Sequence, residues 1–251
     1  MQRENKIVAI GDVHGHYREL IELLDKLEYD HNIDFEKDTL VFLGDYVDGG
    51  PNTKEVLDHL IYLKETYPHF KFLYGNHEDL LMDAMIPHHP TYGDYYLWLN
   101  QGGQETLKSY TDKMDLNEHE ASLVGMKDAI PELHIQFIMS LDTYAETSAY
   151  FFVHGGVLPI PLEEAKKEMT RYDMIWIRDQ FILSDYDWGK KIIFGHTIND
   201  GRYSPGFLSP IVKKNKIGID TFAHNKGKLT AVILPGEEFV YTKFTDDATK
   251  A

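Results

Sequence analysis

Thr39-Leu40-Val41-Phe42-Leu43-Gly44-Asp45-Tyr46-Val47-Asp48-Gly49-Gly50 begins as an apolar, strand-length run, turns at a glycine and presents two carboxylates. Four other short apolar runs end the same way. Ile7–Ile10 leads into Gly11-Asp12-Val13-His14-Gly15 and Lys71–Tyr74 into Gly75-Asn76-His77-Glu78. Tyr150–Val153 leads into His154-Gly155-Gly156, and Ile192–Phe194 into Gly195-His196-Thr197. Runs of this length, bounded by turn residues, read as strands. Glycines at their ends let the backbone turn sharply and come close to a ligand. Strand ends on one edge of a sheet converge, so five segments are expected to gather Asp, His and Asn side chains in one place. Any one cluster alone reads equally well as a turn or a helix cap. Five in order, each behind a strand, favour a site.

Outward from these runs the class follows. Leu20, Leu23, Leu24 and Leu27 recur at helical spacing, as do Val56, Leu57, Leu60 and Ile61 behind Asn52, with Glu55 three residues on. Two amphipathic helices are predicted, the second opening in a capping box. Alternating strands and helices imply right-handed crossovers, while the closely spaced runs Lys216–Ile219, Leu229–Leu234 and Phe239–Phe244 imply a meander. The fold class is α/β with a mixed sheet system. A single domain is expected over residues 1–251, with residues 79–145 as an inserted helical subdomain interrupted by Pro87-His88-His89-Pro90 and Gln101-Gly102-Gly103. An insertion there either shapes a site or only packs, and both readings stay open. The aromatic run Tyr92, Tyr95, Tyr96 and Trp98 reads as core, and His134 as a surface or boundary residue.

Composition narrows the chemistry. Of 251 residues, 25 are Lys or Arg and 41 are Asp or Glu, giving a net charge of −16, with 13 His and no Cys. Without cysteine there is no thiolate metal site and no cysteine nucleophile, so any metal must be held by nitrogen and oxygen. An acidic chain is a poor partner for nucleic acid or an anionic membrane but is compatible with a small phosphorylated substrate. No run approaches the ~18 apolar residues of a membrane span, and the N-terminus lacks a signal-peptide pattern. A cytoplasmic protein is expected.

The ordered clusters resemble the phosphoprotein phosphatase branch of the calcineurin-like metallophosphoesterases, whose fingerprint reads GDxHG, GDxVDRG, GNHE, HG and GH. The resemblance runs over about residues 7 to 234 and is strongest to bacterial and phage-type members, which share a segment like Trp98-Leu99-Asn100-Gln101-Gly102-Gly103. It implies a β-sandwich flanked by helices, with two divalent metal ions: manganese, or else iron or zinc. Asp12, His14 and Asp45 would bind the first ion, and Asp45, Asn76, His154 and His196 the second, with Asp45 bridging. A carboxylate suits such a bridge, and a hydroxide held between the ions would be the nucleophile. By the same resemblance His77 is the general acid, Asp48 its partner, and Arg178, with Asn76, contacts the substrate phosphate. Glu78 reads as a supporting or capping group. His224 lies where a late loop of the family passes the site.

The chain departs from the pattern at Gly49, where the family has an arginine that grips phosphate. Losing a bidentate guanidinium removes orientation as well as charge. Arg178 is the main surviving candidate, with Arg171 and Arg202 as possible compensation from nearby loops. If the site is an impaired version of the family clamp, Gly49→Arg should improve monoester hydrolysis. The resemblance thus implies a metal-dependent phosphoester hydrolase, foremost a bacterial-type Ser/Thr protein phosphatase acting on a phosphorylated protein. The alternative is symmetrical hydrolysis of diadenosine tetraphosphate, a small nucleotide substrate. A non-catalytic phosphopeptide-binding module is the third reading, disfavoured by the complete set of ligand types.

Overall fold

Alternation along the strands decides where each layer lies. In β1 (Ile7–Ile10), Val8 and Ile10 face one core and Ala9 another; in β2 (Thr39–Phe42), Leu40 and Phe42 are separated from Val41 in the same way. Both faces are therefore apolar, as expected of parallel strands covered on each side. A computed structural model describes residues 5–85, 92–111, 128–223 and 227–243. It contains two five-stranded sheets. β1, β2 and β3 (Lys71–Phe72) run parallel, and β9 (Lys228–Leu234) and β10 (Glu238–Lys243) extend that sheet antiparallel beyond β1.

The second sheet is ordered β4 (Tyr144–Glu146), β5 (Tyr150–Val153), β6 (Lys191–Phe194), β8 (Lys216–Gly218) and β7 (Ile211–Val212), with β5, β6 and β8 parallel. Ala9, Val41, Phe152, Ile193, Ile217 and Val232 fill the space between the sheets. Alternate residues face outward to helices. Val8, Phe42 and Ile233 meet α1 (Tyr17–Asp25) and α2 (Thr53–Thr66), and Phe151, Ile192 and Phe194 meet Phe181 and Ile182. Each such side chain contributes roughly 1.5–3 kcal/mol by leaving water.

The described part of residues 79–145 shares the outer core of the first sheet. It comprises the remainder of α3 (Asn76–Met85), α4 (Tyr92–Trp98), α5 (Gln104–Tyr110) and the helix Glu132–Met139. Tyr95, Trp98, Leu107 and Ile138 pack into the same cluster as Val8 and Phe42. β4 begins inside this range. His134 departs from expectation: it is buried, with Nδ1 beside the Tyr110 hydroxyl at 2.6 Å and Nε2 beside Asp58 at 2.9 Å. The capping box does not form either. Its reciprocal arm needs the Asn52 backbone N–H, which instead donates to the Gly15 carbonyl at 2.9 Å, and the Asn52 side chain makes no cap bond. Among the described residues no helix is long and apolar enough to cross a membrane.

Candidate active site

The parallel strands of each sheet end at the same edge, and their following loops meet there. The first two loops are stitched together: the N–H groups of Val13 and His14 donate to the Asp45 carbonyl at 3.0 and 2.8 Å, and Gly15 N–H donates to Tyr46 at 2.8 Å. His14, Asp45, Asp48 and His196 all have positive φ, between 48° and 70°. Such backbone is costly for residues with a Cβ and is sustained here by the surrounding bonds. Glycine is required where the chain crowds these groups. A Cβ on Gly75 would lie 2.2 Å from Asp45 Oδ1, and one on Gly195 2.1 Å from Asp12 Oδ1.

Asp45 stands between two sets of donors. One contains His14, Asp45 and His77, the other Asp45, His154 and His196, and within each set the candidate ligand atoms lie within 4.8 Å of one another. Asp45 Oδ2 is 3.6 Å from His14 Nε2, and Oδ1 is 3.3 Å from His154 Nε2. Asn76 Oδ1 lies 2.9 Å from His154 Nε2 and 2.6 Å from His196 Nδ1. Backbone carbonyls orient two of the rings: His14 Nδ1 is 3.0 Å from Val47 O, and His154 Nδ1 is 2.8 Å from Leu43 O. Asp12 joins through Oδ2, which accepts the His196 N–H at 2.9 Å. Its Oδ1, like His196 Nε2, is buried with no hydrogen-bond partner among the described residues. Buried polar atoms of this kind, in a ring of carboxylate, amide and imidazole, fit a divalent cation as their partner.

Electrostatics follow from this crowding. Burial opposes ionisation of Asp45, but His154, His77 and His14 hold its carboxyl well below the usual range. Asp12 is pushed well up by burial and by the carboxylates of Asp220 and Asp45. Burial lowers His77, yet Asp45, the hydrogen bond to Asp48 and the nearby charges lift it to about 9. Burial and the neighbouring His154 keep His196 well below the ordinary imidazole value.

His77 Nδ1 lies 2.9 Å from Asp48 Oδ2. Asp48 is fully buried, with its carboxylate beside that ring. Arg178 reaches the same region, donating to the His196 carbonyl at 2.9 Å and to Thr197 Oγ1 at 3.3 Å, rather than pairing with Asp179. Arg178 and His77 line a cleft of about 140 Å³ with Gln101, Ile198, Asp220 and Phe222. The two other candidate arginines are engaged elsewhere. Arg171 lies over the Tyr74 ring, and Arg202 pairs with Asp200. His224, with His88 and His89, lies outside the described residues. Gly49 has φ 83° and donates its N–H to the Gly102 carbonyl at 3.1 Å.

Glu78 proves to be a scaffold for the Asp45 loop. Its carboxylate accepts the N–H groups of Asp45, Tyr46, Val47 and Gly75, at 2.9, 2.7, 3.2 and 2.9 Å. Burial and the charge of Asp45 raise its pKa to about 7. Asp220 escaped the sequence reading. It is buried at the cleft, where burial pushes its pKa up to about 6, and it follows β8 just as Asp12 follows β1, but without a bracketing glycine.

A family model described as calcineurin-like phosphoesterase matches residues 5–225. Serine/threonine-protein phosphatase 2 of Escherichia coli (strain K12) is 27% identical over 234 residues, covering 89% of this chain and 90% of its own. A symmetrical bis(5'-nucleosyl)-tetraphosphatase of Proteus mirabilis is 44% identical over 69 residues, 28% of this chain and 23% of its own. In fold, a crystal structure provisionally named a diadenosine tetraphosphatase is similar with a TM-score of 0.65, covering 96% of this chain and 95% of its own at 18% identity.

Proposed function

The chain belongs to the calcineurin-like phosphoesterase family and is a hydrolase acting on phosphoester bonds, and on that premise we propose that it is a Ser/Thr protein phosphatase of bacterial type. The observation that carries the reading is the shared position of Asp45 between two donor sets. Asp12, His14 and Asp45 would hold one divalent cation, and Asp45, Asn76, His154 and His196 a second. The donor types fit manganese, iron or zinc, manganese first. When bound, the pair supplies charge for the phosphate oxygens and lowers the pKa of water from ~16 to about 7.

The chain's own groups do the rest. Arg178, fixed on the His196 carbonyl, directs its remaining N–H groups toward phosphate oxygens in the cleft, where charge builds up during displacement. Asn76, which lines the same cleft, would contact the phosphate as well. His77, with Nδ1 turned to Asp48, presents Nε2 as the proton donor to the departing oxygen.

Gly49 supports a second reading, symmetrical diadenosine tetraphosphate hydrolysis. With a glycine in place of the family's arginine, the turn bonded to Gly49 offers the cleft only the neutral, exposed Gln101 amide. This suits a phosphoanhydride, which carries less charge at the attacked phosphorus than a monoester. Turnover of phosphoserine peptides and of dinucleoside polyphosphates by the manganese-reconstituted protein decides between them. Phosphopeptide hydrolysis at the higher kcat/KM supports the phosphatase reading; activity confined to dinucleoside polyphosphates rejects it. Binding of phosphopeptides without hydrolysis of either class would leave only a recognition module.

A further inference from the structure

The carboxylate of Asp48 is held by two side chains besides His77. Trp98 Nε1 donates to it, 3.0 Å from Oδ1 and 3.1 Å from Oδ2, and the Thr106 hydroxyl donates to Oδ1 at 2.8 Å. That hydroxyl oxygen also accepts the Asp48 backbone N–H at 2.9 Å and lies 3.1 Å from Thr53 Oγ1. All four residues are buried. Trp98 and Thr106 come from the helical stretch behind α3, not from the loops that carry the candidate ligands.

The stretch is locked onto the loop at one more point, and its indole is wedged in place within the stretch itself. The Gly102 carbonyl takes the Gly49 N–H, with Gly102 itself at φ 103°. The indole of Trp98 lies on Gly103 so closely that a Cβ there would come within 2.4 Å of Cε2. The indole is therefore seated, and its N–H has one direction.

A carboxylate has two equivalent oxygens and rotates readily. Left with only an imidazole for company, Asp48 could turn its plane and let the ring of His77 swing or change tautomer. Indole and hydroxyl together fix the plane: Thr106 takes Oδ1, the indole bridges both oxygens, and Oδ2 is left directed at His77 Nδ1. Supporting bonds of this kind determine whether an acid is aligned with its target.

We propose that Trp98 and Thr106 are positioning residues for proton transfer: by fixing the Asp48 carboxylate they hold His77 with Nε2 toward the cleft. This rests on the reading of His77 as proton donor. It also gives the stretch after α3 a part in the chemistry that its distance along the chain conceals.

The test compares a substrate that needs its leaving oxygen protonated, a phosphoserine peptide, with p-nitrophenyl phosphate, which does not. Turnover is measured on manganese-reconstituted protein for Thr106→Val, Thr106→Ser, Trp98→Phe and His77→Asn, with melting temperature as the fold control. His77→Asn should lower phosphoserine kcat by about 100-fold and p-nitrophenyl phosphate kcat far less. Thr106→Val and Trp98→Phe should each lower phosphoserine kcat by about 10-fold, with KM and p-nitrophenyl phosphate turnover within about two-fold of the parent. Thr106→Ser, which keeps the hydroxyl, should restore the parent value.

Equal losses on both substrates in Thr106→Val, or no selective loss while His77→Asn shows one, would overturn the positioning role and leave His77 standing. Equal losses on both substrates in His77→Asn would reject the proton-donor reading, and the proposal with it. Should Trp98→Phe fail to fold, the Val and Ser variants of Thr106 decide alone.

Discussion

Asp45 and His77 are joined through the backbone: Asp45 Oδ1 accepts the His77 N–H at 2.9 Å, so the carboxylate between the two donor sets also anchors the first turn of α3. A change at Asp45 is therefore felt at the proton donor as well as in the ring of nitrogen and oxygen atoms around it.

Asp45→Asn keeps the shape of the side chain and removes its charge. The variant is expected to retain less divalent metal after dialysis than the parent, measured by emission spectrometry, and to lose at least ~100-fold in phosphoester turnover. Chelation of the parent should abolish activity, and manganese should restore it. Full activity in chelated protein would remove the metal from the reaction.

His77 gives the metal-free protein a pH signature. Its folded pKa of about 9 lies above the ordinary 6.5, because Asp45 and Asp48 outweigh burial. The folded state then binds the extra proton, and the stabilisation is complete below pH 6.5 and is lost as pH rises through about 9. Chemical denaturation of the parent and His77→Gln at pH 6 and pH 9.5 should show a stability gap that narrows by ~3 kcal/mol at about 1.36 kcal/mol per pH unit. A gap independent of pH would place the proton elsewhere.

Arg178 is an exposed side chain whose guanidinium is set by the His196 carbonyl and Thr197. Arg178→Ala should weaken competitive inhibition by inorganic phosphate by about 10-fold, with a melting temperature close to the parent's. Lysine should restore only part of it, since a single ammonium cannot hold the carbonyl and two phosphate oxygens in one plane. Unchanged inhibition in Arg178→Ala would mean that another group grips the phosphate.

Gly49→Arg restores the family's residue at a backbone that resists it. With φ at 83° and its N–H tied to Gly102, position 49 should lose about 1–2 kcal/mol on acquiring a side chain. The expected result is a lower melting temperature with no gain in phosphomonoester turnover, which departs from what the sequence motif alone suggests. An improved turnover would show that the loop adapts and that the clamp was merely missing its arginine.

The strand ends were readable in the sequence because the relevant physics is local. Asp12, Asp45, Asn76, His154 and His196 each follow an apolar run and touch a glycine, and parallel pairing brings such ends together without further information. Trp98 was legible as core, and it is, but its N–H finds a carboxylate fifty positions earlier in the chain, which no spacing rule expresses. Thr106 was invisible for the same reason. Glu78 carried a hint in its place beside Asn76, whereas its service to Asp45, Tyr46 and Val47 depends on how two loops stack. At Asn52 the local rule failed, because a neighbouring loop claimed the backbone N–H that the cap required. His134 likewise traded exposure for two partners brought in by α2 and α5.

The donor ring straddles the seam of the sandwich: Asp12, His14, Asp45 and Asn76 come from the first sheet, His154 and His196 from the second. Whatever is gripped by both halves acts as a rivet through two plates. Its binding free energy opposes sliding and splaying of the layers, so occupancy raises the resistance of the whole chain to unfolding. At the far edge the corresponding tie is the part-exposed Lys191–Glu237 ion pair, a weaker fastening, so that edge would be the first to loosen.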